Sequence, residues 1–177
     1  LCAGASEITM SQWSSLFAEK GLQVPKVVGD LLGPCFFAVL MGIGRSIYGI
    51  WGHKINLNRA LMASGILCVI CYAVTIFVQN PFISLLGCAV TGLSVSLMWP
   101  GTFSLTSATY PMGGTAMFGM LAIFGDIGAA VGPWIAGVVS DAVGLGLKAG
   151  LLVAIVFPIM LVIGVMLLKK LNIQSKG

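Results

Sequence analysis

The sequence predicts an all-α, polytopic membrane helix bundle, and three observations carry that expectation. The chain is 58% hydrophobic and 8% charged over 177 residues, with a mean hydropathy of +1.06. A soluble domain carries about 25% charged residues, and one-third of that cannot coat a water-facing surface. Apolar runs long enough to cross a bilayer recur along the chain, since a hydrocarbon core of about 30 Å needs roughly 20 apolar residues in a helix. The links between the runs are short, and no alternating strand pattern interrupts them. Together these features exclude a soluble enzyme, a nucleic-acid-binding domain and a disordered chain. The excess of nine Lys and Arg over five Asp and Glu reads as membrane topology, because no basic cluster interleaves with aromatics.

Residues 1–20 form the first and most polar stretch. The chain opens on Leu1 with no charged leader, so this helix is expected to begin further upstream. The spans 28–51, 60–78, 82–105, 115–139 and 148–168 follow, giving six transmembrane helices. The loops 21–27, 52–59, 79–81, 106–114 and 144–147 leave no room for a soluble domain. Pro100, Pro133 and Pro158 lie inside spans, where each removes a backbone donor and is expected to kink its helix. In the fifth span Gly125, Gly128 and Gly132 fall within about 60° on a helical wheel, a stripe that lets two backbones approach closely. The five cysteines, Cys2, Cys35, Cys68, Cys71 and Cys88, all lie in apolar segments and read as small packing residues, not a disulfide framework.

Orientation follows from the basic residues near helix ends. One side holds Arg45, Lys54, Arg59, Lys169, Lys170 and Lys176 with no acid. The other holds Lys20, Lys26 and Lys148, offset by Glu19, Asp30 and Asp141. The first side is therefore expected to be cytoplasmic, with the C-terminus inside.

Three ionisable residues fall within spans: Glu7, Arg45 and Asp126. One such group at mid-helix costs about 2.5–3.5 kcal/mol on insertion scales, so each is expected to face the bundle interior. Ser11 and Ser14 follow Glu7 at helical spacing with Gly4 and Ala18, a polar and small stripe suited to an aqueous cavity. Glu7 fits two roles, accepting hydrogen bonds from a solute or carrying a proton. Asp126 shares its face with Ala122, Ala130 and Pro133, and serves either as a second such site or as the partner of a base elsewhere. Arg45, near the cytoplasmic end, either snorkels to the interface or gates the cytoplasmic mouth. Trp99, beside Pro100, offers an aromatic wall for a ring-shaped solute or packs in the core. His53, the one histidine, sits in a loop. No Ser/His/Asp or metal-ligand spacing occurs within the spans, so neither an enzyme nor a bound metal or cofactor is expected.

The pieces resemble the C-terminal half of a major facilitator superfamily transporter, helices seven to twelve. The loop from Gly44 to Arg59 is similar to the family pattern G-x-x-x-D-[RK]-x-G-R-[RK], with Gly49, Lys54 and Arg59 in place, His53 at the acidic position and Asn56 at a glycine position. Gly128 to Gly137, through Gly132-Pro133, followed by Ser140-Asp141 and Gly144, is similar to the G-x-x-x-G-P-x-x-[GA]-G signature. Gly4-Ala5-Ser6-Glu7 with Trp13, and Ser96, Met98, Pro100, Phe103 and Leu105, resemble segments of fucose-type sugar permeases. Asp126 departs from them, standing where they carry a small residue.

The resemblance implies half of a twelve-helix transporter in a bacterial inner membrane. Its partners would be lipid, a small-molecule solute and the missing N-terminal six-helix half, and not nucleic acid. A sugar or related compound would bind at Glu7, Gln12, Trp99 and Asp126, by alternating access, with Glu7 and Asp126 as proton carriers. Arg45, Gly49, Lys54 and Arg59 would form the cytoplasmic gating loop, and Gly125, Gly128, Gly132, Pro133 and Gly137 would pack the helices. The competing readings are a drug or organic-ion antiporter and a non-transporting truncated membrane protein.

Overall fold

The computed structural model describes residues 1–142 and 146–174, with side chains to residue 168. Gly144 of the signature and Lys176 of the basic count lie outside the described residues. Six helical segments run through the described residues with no strand. They are α1 (Cys2–Leu16), continued by a wide turn at Phe17–Gly21, α2 (Lys26–Lys54), α3 (Leu57–Phe77), α4 (Pro81–Thr109), α5 (Gly114–Ala142) and α6 (Leu147–Leu168), whose helix runs on to Gln174. The last five are long and apolar enough to cross a membrane. The chain is an integral membrane helix bundle.

Local chemistry sets the ends. The Asn56 side chain accepts from the Arg59 N–H at 3.2 Å and so starts α3. Asn80 accepts from the Phe82 N–H at 3.0 Å, with Pro81 at the first helical position. Both are N-cap arrangements that satisfy otherwise orphaned donors. At the far end of α4, Thr106 and Thr109 donate back to the carbonyls of Thr102 and Leu105, each at 2.8 Å. Those hydroxyls are satisfied within the helix, so α4 runs past residue 105, where the apolar count stops.

The prolines act unequally. Pro100 cannot bond the Ser96 carbonyl, and α4 is interrupted at residues 96–97. Pro158 likewise follows a break in α6 at Ile155. Pro133 leaves α5 uninterrupted from Gly114 to Ala142. Pro34 lies in a wide turn of α2 at Leu31–Cys35, a distortion the apolar count does not register.

α1 sits at the centre, packed chiefly on α5 and also against α4 and α6. Gly125, Gly128 and Gly132 are buried along the α5 side of that contact. A Cβ at Gly132 would stand 2.8 Å from Ala5 Cα, so only glycine permits this spacing. α3 and α4 are tied by paired hydroxyls, with Ser84 donating to the Thr75 carbonyl at 2.6 Å. Tyr72, fully buried on α3, donates to the Ser6 carbonyl of α1 at 2.7 Å. The core comprises Met10, Phe17, Phe37, Tyr72, Met98 and Leu151. Outside it, Ile66, Ile70, Phe77, Val156, Ile159 and Ile163 are exposed, the surface expected of helices facing acyl chains.

Candidate functional site

α1 and α2 bring together two residues 38 positions apart. Glu7 is buried, and its Oε1 receives Arg45 Nη2 at 3.2 Å. Glu7 Oε2 is also buried and has no hydrogen-bond partner among the described residues. Such an atom is expensive to leave unpaired away from water. Arg45 lies nine residues before the end of α2, about 14 Å along the helix. Lys54 and Arg59, the other members of the expected gating loop, are exposed near that end of the helix.

Glu7 and Arg45 open onto a cavity of about 420 Å³, completed by Tyr48, Trp99 and Pro100. Tyr48 is one helical turn beyond Arg45, on the same face, and its hydroxyl donates to Ser104 Oγ at 2.9 Å. That spacing, three residues along one helix, is the sequence signal that could have placed Tyr48 at the site. Trp99 is positioned by the α4 interruption and lies directly over Gly125 of α5, where any side chain would collide with the indole. Its ring meets Phe103 at 4.8 Å between centroids, and Phe103 in turn stacks on Phe118 at 5.8 Å. Trp99 also borders a second, more apolar cavity of about 460 Å³, walled by α4, α5, α6 and the start of α1.

The remaining candidates lie apart from this cluster. Asp126 is exposed on α5, because its neighbours Gly125 and Gly128 take the side facing α1. No ion-pair partner for it occurs among the described residues. Gln12 is exposed, off the Glu7 face. Ser14 is buried and bonds the Ser11 carbonyl at 3.2 Å, so its hydroxyl serves its own helix. Gly49 is exposed with nothing near its Cβ position. Trp13 sits on the apolar side of α1 and donates its Nε1–H to the Pro133 carbonyl at 3.1 Å, pinning α1 to α5 beside Gly137. Among the described residues no three His, Cys, Asp or Glu side chains gather as metal ligands.

A carboxylate, a guanidinium, a phenol and an indole thus meet on one cavity wall inside an apolar helix bundle. Over residues 3–176 the sequence matches the family described as the Major Facilitator Superfamily. The chain belongs to the Major Facilitator Superfamily. Its members are membrane transporters, not enzymes. No curated protein and no solved structure matches the chain. Within a major facilitator, a polar cavity among apolar helices has an evident use as a place where a solute can shed water without entering lipid.

Proposed function

We propose that this chain is the C-terminal six-helix half of a twelve-helix major facilitator, resembling the fucose-type permeases. It moves a small polar organic solute, a sugar or related compound, by alternating access. Glu7, Arg45, Tyr48 and Trp99 form this half's share of the binding site, and Glu7 couples transport to protons. The observation that carries the reading is the buried Glu7 carboxylate, with one oxygen on Arg45 and the other unpartnered, at the wall of a cavity. An ionisable residue inside a membrane bundle marks a solute or ion pathway by default. Binding between the repeats, with one half rocking against the other, is how repeat-built transporters work. The basic residues at the 52–59 loop and the tail support a cytoplasmic C-terminus in a bacterial inner membrane.

The test is Glu7→Gln in the full-length protein, with solute uptake measured against pH. The expected outcome is loss of the pH dependence together with a changed solute affinity. An unchanged pH profile and unchanged affinity would remove Glu7 from both roles.

A further inference from the structure

The ion pair at the cavity is lopsided. Side-chain exposure is 44% for Arg45 and 12% for Glu7. A solute entering the cavity therefore meets the guanidinium first, with the carboxylate behind it. One Nη2–Oε1 contact uses one of the five guanidinium N–H donors, and no other protein acceptor engages them among the described residues. A planar fork of free donors matches a carboxylate bidentately, better than it matches a single hydroxyl. Tyr48 adds a hydroxyl on the same helix face, and Trp99 adds a ring wall, so the body of the solute is hydroxylated carbon.

Charge accounting then fixes the role of Glu7. The empty site holds one positive and one negative group and is neutral. An anion that displaces Glu7 from Arg45 leaves a second negative charge in a site poor in water, which the low dielectric resists. A proton delivered from the aqueous cavity to the Glu7 carboxylate returns the sum to zero. No other charged group is available to do so among the described residues. α2 presents Arg45 and Tyr48, and its Asp30 carboxylate accepts from Ser15, eight residues along α1 from Glu7. α3 presents Tyr72, whose hydroxyl is committed to the Ser6 carbonyl at 2.7 Å. α4 presents Trp99 and Pro100 at the cavity, with Cys88 buried away in the core. α5 turns glycines toward α1 and holds Asp126 exposed to one side. On α6 the charged side chain among those described is Lys148, at the opposite end of the bundle from the tail. Glu19 and Lys20 stand at the far end of the α1 segment, and Cys2 lies five residues before Glu7.

We infer that the site takes a hydroxylated organic carboxylate, a sugar acid in chemical class, held by Arg45, with Glu7 taking up one proton for each anion bound. The inference rests on the transport reading above and narrows its solute. The transported unit is one anion and one proton, so net charge movement is zero.

The experiment uses full-length protein in proteoliposomes with radiolabelled D-glucuronate, D-galacturonate and D-gluconate, each beside its neutral parent sugar. At least one acid is expected to accumulate under an inward proton gradient, and the response to an imposed membrane potential is expected to be nil. Arg45→Lys keeps the charge but loses the fork, and should weaken uptake of that acid by about 10- to 100-fold. In Glu7→Gln, uptake of the acid should no longer follow the proton gradient. Uptake of a neutral sugar with its acid excluded overturns the anion class and leaves transport standing. Uptake of an acid that drives current, or that Arg45→Lys leaves unchanged, overturns the paired roles of Arg45 and Glu7. Absence of uptake for every member of the panel overturns the inference together with the sugar-related reading it rests on.

Discussion

Gly132→Ala puts the central α1–α5 contact to a direct test. The new methyl carbon would stand 2.8 Å from Ala5 Cα, 2.9 Å from Ala5 Cβ and 2.7 Å from Thr9 Oγ1. Carbon pairs rest at about 3.5–4.0 Å, so α1 must retreat from α5 by roughly 1 Å. No rotamer change relieves the clash, because Ala5 Cα is backbone. Overpacking of this kind costs about 1–3 kcal/mol. Alanine also improves helix propensity by about 1 kcal/mol, which would blur the result if the variant were measured alone. Gly119→Ala on the same helix removes that ambiguity, since a Cβ there has nothing within 4 Å. Both variants gain the propensity, so their difference is the overpacking alone. Thermal unfolding of the detergent-solubilised full-length protein is the assay. At about 2–4 °C per kcal/mol for 150–250 residues and about half that for a protein of twice the length, Gly132→Ala should melt a few degrees below Gly119→Ala. Two variants melting within about a degree of one another would show that α1 and α5 are not held this close.

Tyr72→Phe should lower the melting temperature through loss of the buried bond to the Ser6 carbonyl, worth about 1 kcal/mol. An unchanged melting temperature would mean that the hydroxyl does not tie α3 to α1. For topology, Asn56→Cys and Gln79→Cys place thiols at exposed positions on opposite ends of α3. With the exposed Cys35 replaced, a membrane-impermeant maleimide on intact cells should label Gln79→Cys and spare Asn56→Cys. The reverse pattern would invert the orientation read from the basic residues.

Composition and hydropathy make the bundle legible because lipid imposes one requirement on every span. The glycine stripe on α5 was equally readable, since helical spacing alone fixes which residues share a face. Helix ends were less so. Apolar counting stops at a threonine, whereas Thr106 and Thr109 satisfy themselves inside α4 and carry it onward. The effect of a proline depends on what the surroundings do with the freed carbonyl, which explains why Pro100 and Pro133 differ while the sequence treats them alike. Least legible was the pairing of Glu7 with Arg45. Each stood out as a costly charge within a span, but periodicity within one helix says nothing about which helix lies opposite. For Arg45 the sequence therefore offers only two end-of-helix roles, snorkelling to the interface or gating, and no partner. Tyr48 shares a helix face with Arg45 by its spacing, but its bond to Ser104 depends on where α4 passes.

The two acids within the spans meet the bilayer in different ways, and the contrast says something about the sides of the bundle. Glu7 is offset by Arg45 from a neighbouring helix. Asp126, near the middle of the 29-residue α5, has no such partner among the described residues and is exposed. Ala122 and Ala130 share its face, and Ile123 and Ile127 beside it are exposed as well. Elsewhere the exposed surface carries Ile66, Ile70, Phe77 and Ile159, the branched and aromatic side chains that acyl tails accept without cost. A bare carboxylate at mid-helix costs about 2.5–3.5 kcal/mol even on lenient scales, so the Asp126 strip is not built as a lipid-facing surface. On the twelve-helix reading, this side of α5 is where the other half or the aqueous cavity covers the Asp126 carboxylate. Glu7 and Asp126 therefore stand in different surroundings: one paired with Arg45 at the cavity wall, the other exposed on a side of α5 that no described residue covers.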